Sequence, residues 1–273
     1  MTTELPELTL DDIESAPSAK PAKQAKPKGL IRRGKRDEPQ RVLLYGPPKV
    51  GKTHLLSMVP NLLLVDTEGG AKEHDLAHYD CASYSDFIAF FSQPDDVFAE
   101  FNTIAVDTAS RFVDVVVDHI VKTVPHEKGY PVNNIVDYGW GKGYEHVFNA
   151  WRRAYQLVEQ QIAKGRNVIW VAHETVEKAT NTLGEDYFRA EPQLQVGKNA
   201  NIREHLLRNV DSIAYLAMDL AVKDGKGKGA GTRAALTDKN VQYIAGTRRE
   251  PNKARYPVRK DSDGGLWDLL LKK

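Results

Sequence analysis

One octapeptide restricts the fold of this chain more than any other stretch. Residues 46–53 read Gly-Pro-Pro-Lys-Val-Gly-Lys-Thr and satisfy G-x-x-x-x-G-K-[ST] at every fixed position. The apolar run RVLLY (41–45) precedes them, and LLSMV (55–59), a short helix stopped by Pro60, follows. Strand, glycine-rich loop and helix start form the context in which such a loop cradles phosphate, because its backbone N–H groups point at the anion. The segment is read as a nucleotide site made by Gly46, Pro47, Pro48, Lys49, Val50, Gly51, Lys52, Thr53 and His54. Lys52 is expected to reach the β- and γ-phosphates of ATP, and the Thr53 hydroxyl to bind Mg²⁺. Lys49 adds a cation inside the loop, where it either contacts phosphate or points to solvent.

The rest of the chain repeats this alternation. LLLVD (62–66), TIAVD (103–107), NVIWVA (167–172) and VDSIAYLAM (210–218) are apolar runs of strand length. Residues 109–123 and 144–163 carry apolar positions at helical spacing, with Val147, Trp151, Ala154, Val158 and Ile162 sharing one face of the second helix. Continuous apolar strands between helices predict an α/β fold with a mostly parallel central sheet flanked by helices. Beyond residue 218, GKGKG (225–229) reads as a mobile turn between strands near 219–223 and 232–237, a C-terminal β-hairpin extension. Residues 1–28, rich in Pro, Ala, Lys and Ser, are expected to be a disordered charged tail before a single domain over 29–273.

Composition narrows the class. A chain of 273 residues with 41% hydrophobic and 27% charged residues is globular in type rather than fibrous or disulfide-stapled. No apolar run reaches the roughly 18–20 residues of a membrane helix. The acidic N-terminus is neither a secretory signal nor a transit peptide, and the lone Cys81 suits a reducing compartment, so a cytoplasmic location is expected. The net charge of +1 is an average over blocks. Residues 1–19 carry −5, 20–36 carry +8, 37–220 carry −9, 221–260 carry +8 and 261–273 carry −1. A neutral total therefore does not exclude a phosphate-backbone partner.

Three further residues are expected beside the loop. Asp107 ends an apolar strand, at the sheet edge where open α/β folds bind ligands, and suits the Mg²⁺ shell beside Thr53. Hydrolysis needs a group that positions or deprotonates water. Thr108 follows Asp107, so that role falls to Glu68 in VDTEGG (65–70). His173, in VAHE (171–174), is placed to sense the γ-phosphate. In the loop 137–144, Trp140 and Tyr144 flank Gly-Lys-Gly. Like Tyr130 and Tyr138, they either stack on bases or pack on the core.

These motifs in this order resemble the RecA-like ATPase core. More closely, they are similar to the phage-encoded RecA-like nucleotide-binding proteins associated with single-strand annealing, over residues 29–260 from LIRRG (30–34) through LLYGPP, VDTEGG, AVDTAS, DYGWGKGY and VAHE. The resemblance implies ATP and Mg²⁺ binding, single-stranded DNA as partner, and homo-oligomeric rings or filaments with ATP between subunits. It makes Glu68 the catalytic glutamate and Asp107 the Mg²⁺-linked aspartate. It puts His173 at a γ-phosphate sensor position usually held by glutamine. Segment 174–208 takes the place of a mobile DNA-binding loop, although its acidic residues roughly cancel its basic ones. In NKAR (252–255), Lys253 and Arg255 resemble fingers that reach a neighbour's ATP. Two other classes stay open: a small-molecule kinase with Arg152–Arg153 or Arg248–Arg249 as a lid, and a non-catalytic module switched by nucleotide.

Overall fold

The structure, a computed structural model, describes residues 34, 36–182, 184–223, 226–251 and 253–272, with 220–223 and 226–231 described by backbone alone. The chain divides into two units, Met1–Arg36 and Asp37–Lys273, and every described helix and strand belongs to the second. The tail expected over 1–28 lies outside the described residues.

The strands are β1 (Arg41–Gly46), β2 (Leu62–Asp66), β3 (Ala77–Asp80), β4 (Thr103–Asp107), β5 (Asn167–Ala179), β6 (Tyr187–Pro192), β7 (Ser212–Lys223), β8 (Lys226–Leu236), β9 (Gly246–Thr247) and β10 (Arg255–Val258). The helices are α1 (Lys52–Leu56), α2 (Tyr84–Phe91), α3 (Ala109–Thr123), α4 (Lys142–Ala163), α5 (Ile202–Asn209) and α6 (Leu266–Leu270). Strands β3, β2, β4, β5, β1 and β7 lie side by side in that order, all parallel. Antiparallel β8 and β10 extend the β7 edge. The result is the mixed α/β fold with a helix-flanked, mostly parallel sheet that the apolar pattern predicts.

The sheet is buried on both faces, which is why its central strands read as unbroken apolar runs. Leu43, Tyr45, Val65, Ile104, Val106, Val168 and Trp170 point to one core layer, beside α2, α3 and α4. Val42, Leu44, Leu64, Ala105, Ile169 and Val171 point to the other, under α1 and α6. Since strand side chains alternate, a one-residue slip in any strand exchanges the two layers. Register and core therefore specify each other.

Three expectations change. Residues 210–218 and 219–223 are not separate strands: β7 runs unbroken from Ser212 to Lys223, with a register shift between Met218 and Leu220. Residues 226–229 of the glycine-lysine stretch are not a turn but pair with 220–223, because a backbone ladder needs no apolar side chain. Helix α1 starts at Lys52, three residues earlier than the apolar pattern indicates.

Segment 174–208 also departs from a mobile loop. β5 continues past the sheet to Ala179, pairs with β6, and is followed by α5. Most of its charges pair with one another. Buried Arg203 donates to Glu177 at 2.8 and 2.6 Å and to Glu191 at 2.5 Å, Arg189 pairs with Glu191 at 2.6 Å, and Arg208 pairs with Glu204. The balance of acid and base in this stretch is thus a structural ion network, which holds the hairpin to α5.

Candidate functional site

The loop after β1 folds as its glycines require. Gly51 has φ +94°, a conformation that side chains resist, and a Cβ there would fall 1.7 Å from Nη1 of Arg233. A Cβ on Gly46 would lie 2.3 Å from the Leu216 carbonyl oxygen, so β1 can approach β7 only without a side chain there. No described acceptor pairs with the backbone N–H groups of Gly51, Lys52 or Thr53, which leaves three donors facing outward at the helix start. The Lys52 ammonium donates to the carbonyls of Gly46 at 3.0 Å and Pro47 at 2.8 Å, and to Nδ1 of His173 at 3.3 Å.

The ends of β2 and β4 and the middle of β5 meet opposite this loop. Thr53 Oγ1 donates to Asp107 Oδ2 at 2.7 Å. His173 Nε2 lies 2.8 Å from Glu68 Oε1, and the Thr108 hydroxyl donates to the same oxygen at 2.6 Å. Because an ammonium can only donate, Nδ1 of His173 must accept, so the ring proton sits on Nε2 and is given to Glu68. A continuous chain Lys52–His173–Glu68–Thr108 results. A cavity of about 220 Å³ opens beside it, lined by the loop residues Lys49 to His54 (except Val50), Glu68, Asp107, Thr108 and His173, together with His74.

Supporting bonds fix each group. Asp66, buried at the end of β2, accepts from the N–H groups of Glu68 (2.9 Å), Gly69 (2.7 Å) and Ala71 (2.8 Å), which sets the turn that aims Glu68. Thr67 and Thr108 bond each other through hydroxyl and backbone. The His173 N–H donates to Ser110 Oγ at 3.0 Å, and Ser110 donates on to the Gln193 carbonyl at 2.8 Å.

Electrostatics follow from burial and these bonds. Burial pushes the Asp107 carboxyl up to about 6, against the opposing bond from Thr53. Burial lowers the Lys52 ammonium from its usual value, against the nearby carboxylates of Asp107 and Glu68. The bond from His173, then that from Thr108, holds the Glu68 carboxyl below its ordinary range, so it stays ionised.

The Thr53 and Asp107 oxygens, side by side, are hard donors of the kind Mg²⁺ takes. Mg²⁺ is commonly held by one or two protein oxygens, with phosphates and waters completing its shell. The raised carboxyl of Asp107 reports a charge that a cation would relieve, so the residues present fit the ion. No cluster of three or more His, Cys, Asp or Glu among the described residues offers an all-protein cage.

The remaining expected residues fall elsewhere. Pro47, Pro48 and Lys49 form the outer loop, with Lys49 exposed at φ +61° and also bordering the cavity. Lys253 donates to the Gly264 carbonyl at 2.7 Å and Arg255 pairs with Asp219; neither lines this chain's own cavity. Arg248 and Arg249, considered above as a lid, are tied to Asp211 and Asp37 at 2.8 Å each. Trp140 is fully exposed, Tyr130 largely so, and Tyr138 is buried with its hydroxyl on the Ile120 and Val124 carbonyls. Tyr144 lines a larger recess of about 490 Å³ beyond Glu68 and His173. Asp66, Ser110 and Arg233 were not anticipated. Only Asp66, matching Asp107 as an aspartate at a strand end, left a trace in the sequence.

Fold and loop together define a P-loop nucleotide-binding protein. The AAA domain family model matches residues 38–249, and the chain belongs to that family of nucleotide-binding P-loop ATPases. A search of curated proteins finds no match to the chain. No described helix is long and apolar enough to cross a membrane.

Proposed function

We propose that this protein hydrolyses ATP with Mg²⁺ in the RecA-like manner and acts on single-stranded DNA in phage recombination, annealing or replication. The observation that carries the catalytic part is the chain from Lys52 through His173 to Glu68. The glutamate comes from the end of β2, and Thr108 stands where other ATPases of the class have a glutamate after the aspartate.

In this reading Lys52 leaves the Gly46 and Pro47 carbonyls for the phosphates, joined by the free N–H groups of the loop. Bound Mg²⁺, held by Thr53 and Asp107, supplies charge neutralisation at the phosphate oxygens. Glu68, ionised, accepts a proton from the attacking water, while Thr108 and His173 orient its carboxylate. Transfer of Lys52 frees Nδ1 of His173, so nucleotide binding changes the hydrogen bonding of the ring that touches Glu68. Lys253 and Arg255 act on a neighbour's ATP in a ring or filament, a role that rests on the resemblance of the NKAR segment. The DNA partner is supported by the resemblance and by the basic block over 221–260.

The test is phosphate release with and without single-stranded DNA at several salt concentrations. Lys52→Ala is expected to lose nucleotide binding or turnover. Glu68→Gln is expected to bind ATP and lose turnover by roughly 10²–10⁴-fold. Normal turnover in Glu68→Gln would remove the catalytic assignment. Turnover and binding indifferent to DNA would remove the partner.

A further inference from the structure

Six basic side chains of the block over 221–260 fall into two groups in three dimensions. Arg248, Arg249 and Arg255 are neutralised by Asp211, Asp37 and Asp219. Arg233, Arg259 and Lys260 make no ion pair among the described residues. They converge with Lys49 and His54 on a recess of about 370 Å³ whose lining holds no carboxylate, completed by Val50, Met218 and Val258. The volume is at the lower end of the range of ligand sites, and the recess is open to solvent.

This recess lies on the outer side of the phosphate loop. Arg233 Nη1 donates to the Val50 carbonyl at 2.9 Å, and its guanidinium occupies the space beside Gly51. Lys49 and His54 border both this recess and the nucleotide cavity, and the His54 Nε2 atom is buried without a hydrogen-bond partner. Like charges held together without a counter-charge repel, and a polyanion relieves that cost. The triphosphate of a bound nucleotide is already met by Lys52 and Thr53 on the inner side. Its nucleoside end is uncharged and gives four cations nothing to pair with. Arginine and lysine at close spacing match successive phosphodiesters.

We propose that the recess formed by Lys49, Arg233, Arg259 and Lys260 binds the sugar-phosphate backbone of a single-stranded nucleic acid. The proposal rests on the DNA reading above but assigns contact to a different place from segment 174–208, whose arginines are paired internally. Because the two sites share Lys49 and His54 as a wall, occupancy of one changes affinity at the other by the same factor in both directions.

The experiment is fluorescence anisotropy of a labelled oligo-dT on the full chain, wild type against R259E/K260E, across a salt series. Expected is a loss of at least 10-fold in affinity at low salt and a salt slope shallower by about 1.4 for two lost single-strand phosphate contacts. Affinity for a fluorescent ATP analogue without oligonucleotide is expected to stay within twofold. The charge-keeping pair R259K/K260R, which need only fold, is expected to retain oligo-dT binding. Equal oligo-dT affinity in wild type and a folded R259E/K260E overturns the recess. So does loss of nucleotide affinity with oligo-dT binding intact, which would make it part of the nucleotide site. A wild type that binds no oligo-dT overturns the recess and the DNA partner together, whereas loss of turnover alone in the Glu68 variant leaves the recess standing.

Discussion

Glu68 and His173 meet at 2.8 Å although their strands are not neighbours: β4 lies between β2 and β5, and the two side chains reach across its end. Thr108, at the end of β4, donates to the same carboxylate oxygen from below. One carboxylate thus reads the relative position of three strands.

Removing the ring tests that arrangement. Glu68 owes its depressed carboxyl first to His173, so His173→Ala should let it return toward the ordinary carboxylate range. A base with a raised value is lost earlier as pH falls. The acid limb of the turnover–pH profile is therefore expected to move to higher pH, with kcat down about 10-fold or more. An unmoved acid limb would mean that the pair does not act in turnover.

Thr108 carries two bonds at once. Its hydroxyl also accepts from the Arg111 N–H at 3.1 Å, capping α3. Thr108→Val is expected to cost about 1 kcal/mol in urea unfolding through the lost cap. Thr108→Ser should restore both stability and turnover.

Asp107 gives a pH-dependent stability of definite sign. Its folded value of about 6 lies above the unfolded value near 4. The folded chain holds that proton more tightly, so the group favours folding below pH 4, and the contribution is lost as pH rises through 6. Without Mg²⁺ or nucleotide, Asp107→Asn is expected to be more stable than wild type at pH 8 by about 2 kcal/mol, with little difference at pH 4. Urea melts at the two pH values measure it. Added Mg²⁺ and nucleotide should raise wild-type stability more than that of the variant.

Arg203 is the buried centre of the hairpin network. Arg203→Met leaves Glu191 buried without this partner and is expected to cost about 3–5 kcal/mol in thermal or urea unfolding. The double variant Arg203→Met/Glu191→Leu should recover part of that loss, because a matched apolar pair replaces a broken ion pair.

The sequence was legible where burial leaves one solution. The core strands β1, β2 and β4 and the helix α3 match their apolar patterns, because both faces of the sheet exclude polar residues. β3 was invisible: Ala77–Asp80 is an edge strand, three of its four residues exposed, with no apolar run to betray it. α2 and α5 were missed for opposite reasons. Tyr84–Phe91 buries its rings at helical spacing, but aromatic residues favour strands, and Ile202–Asn209 hides its core contacts among charges that pair with β5 and β6. At the site, the residues expected beside the phosphate loop could be named from motifs. The hydrogen bonds between Lys52, His173 and Glu68 could not, since they depend on which strands lie side by side. Arg233 is a single arginine among small residues, and only the fold brings it against Val50.

β5 has one further property. Its first half is an inner strand of the main sheet, and its register with β1 ends where Gly46 faces His173. From Glu174 on it belongs to a separate ladder with β6, in which Lys178 faces Phe188, 71% exposed, and Ala179 at the end faces Tyr187. His173 therefore stands at the junction of the two. One strand, pinned inside the core on one side and tied through Arg203 to α5 on the other, thus joins the position of the His173 ring to that of the outer hairpin.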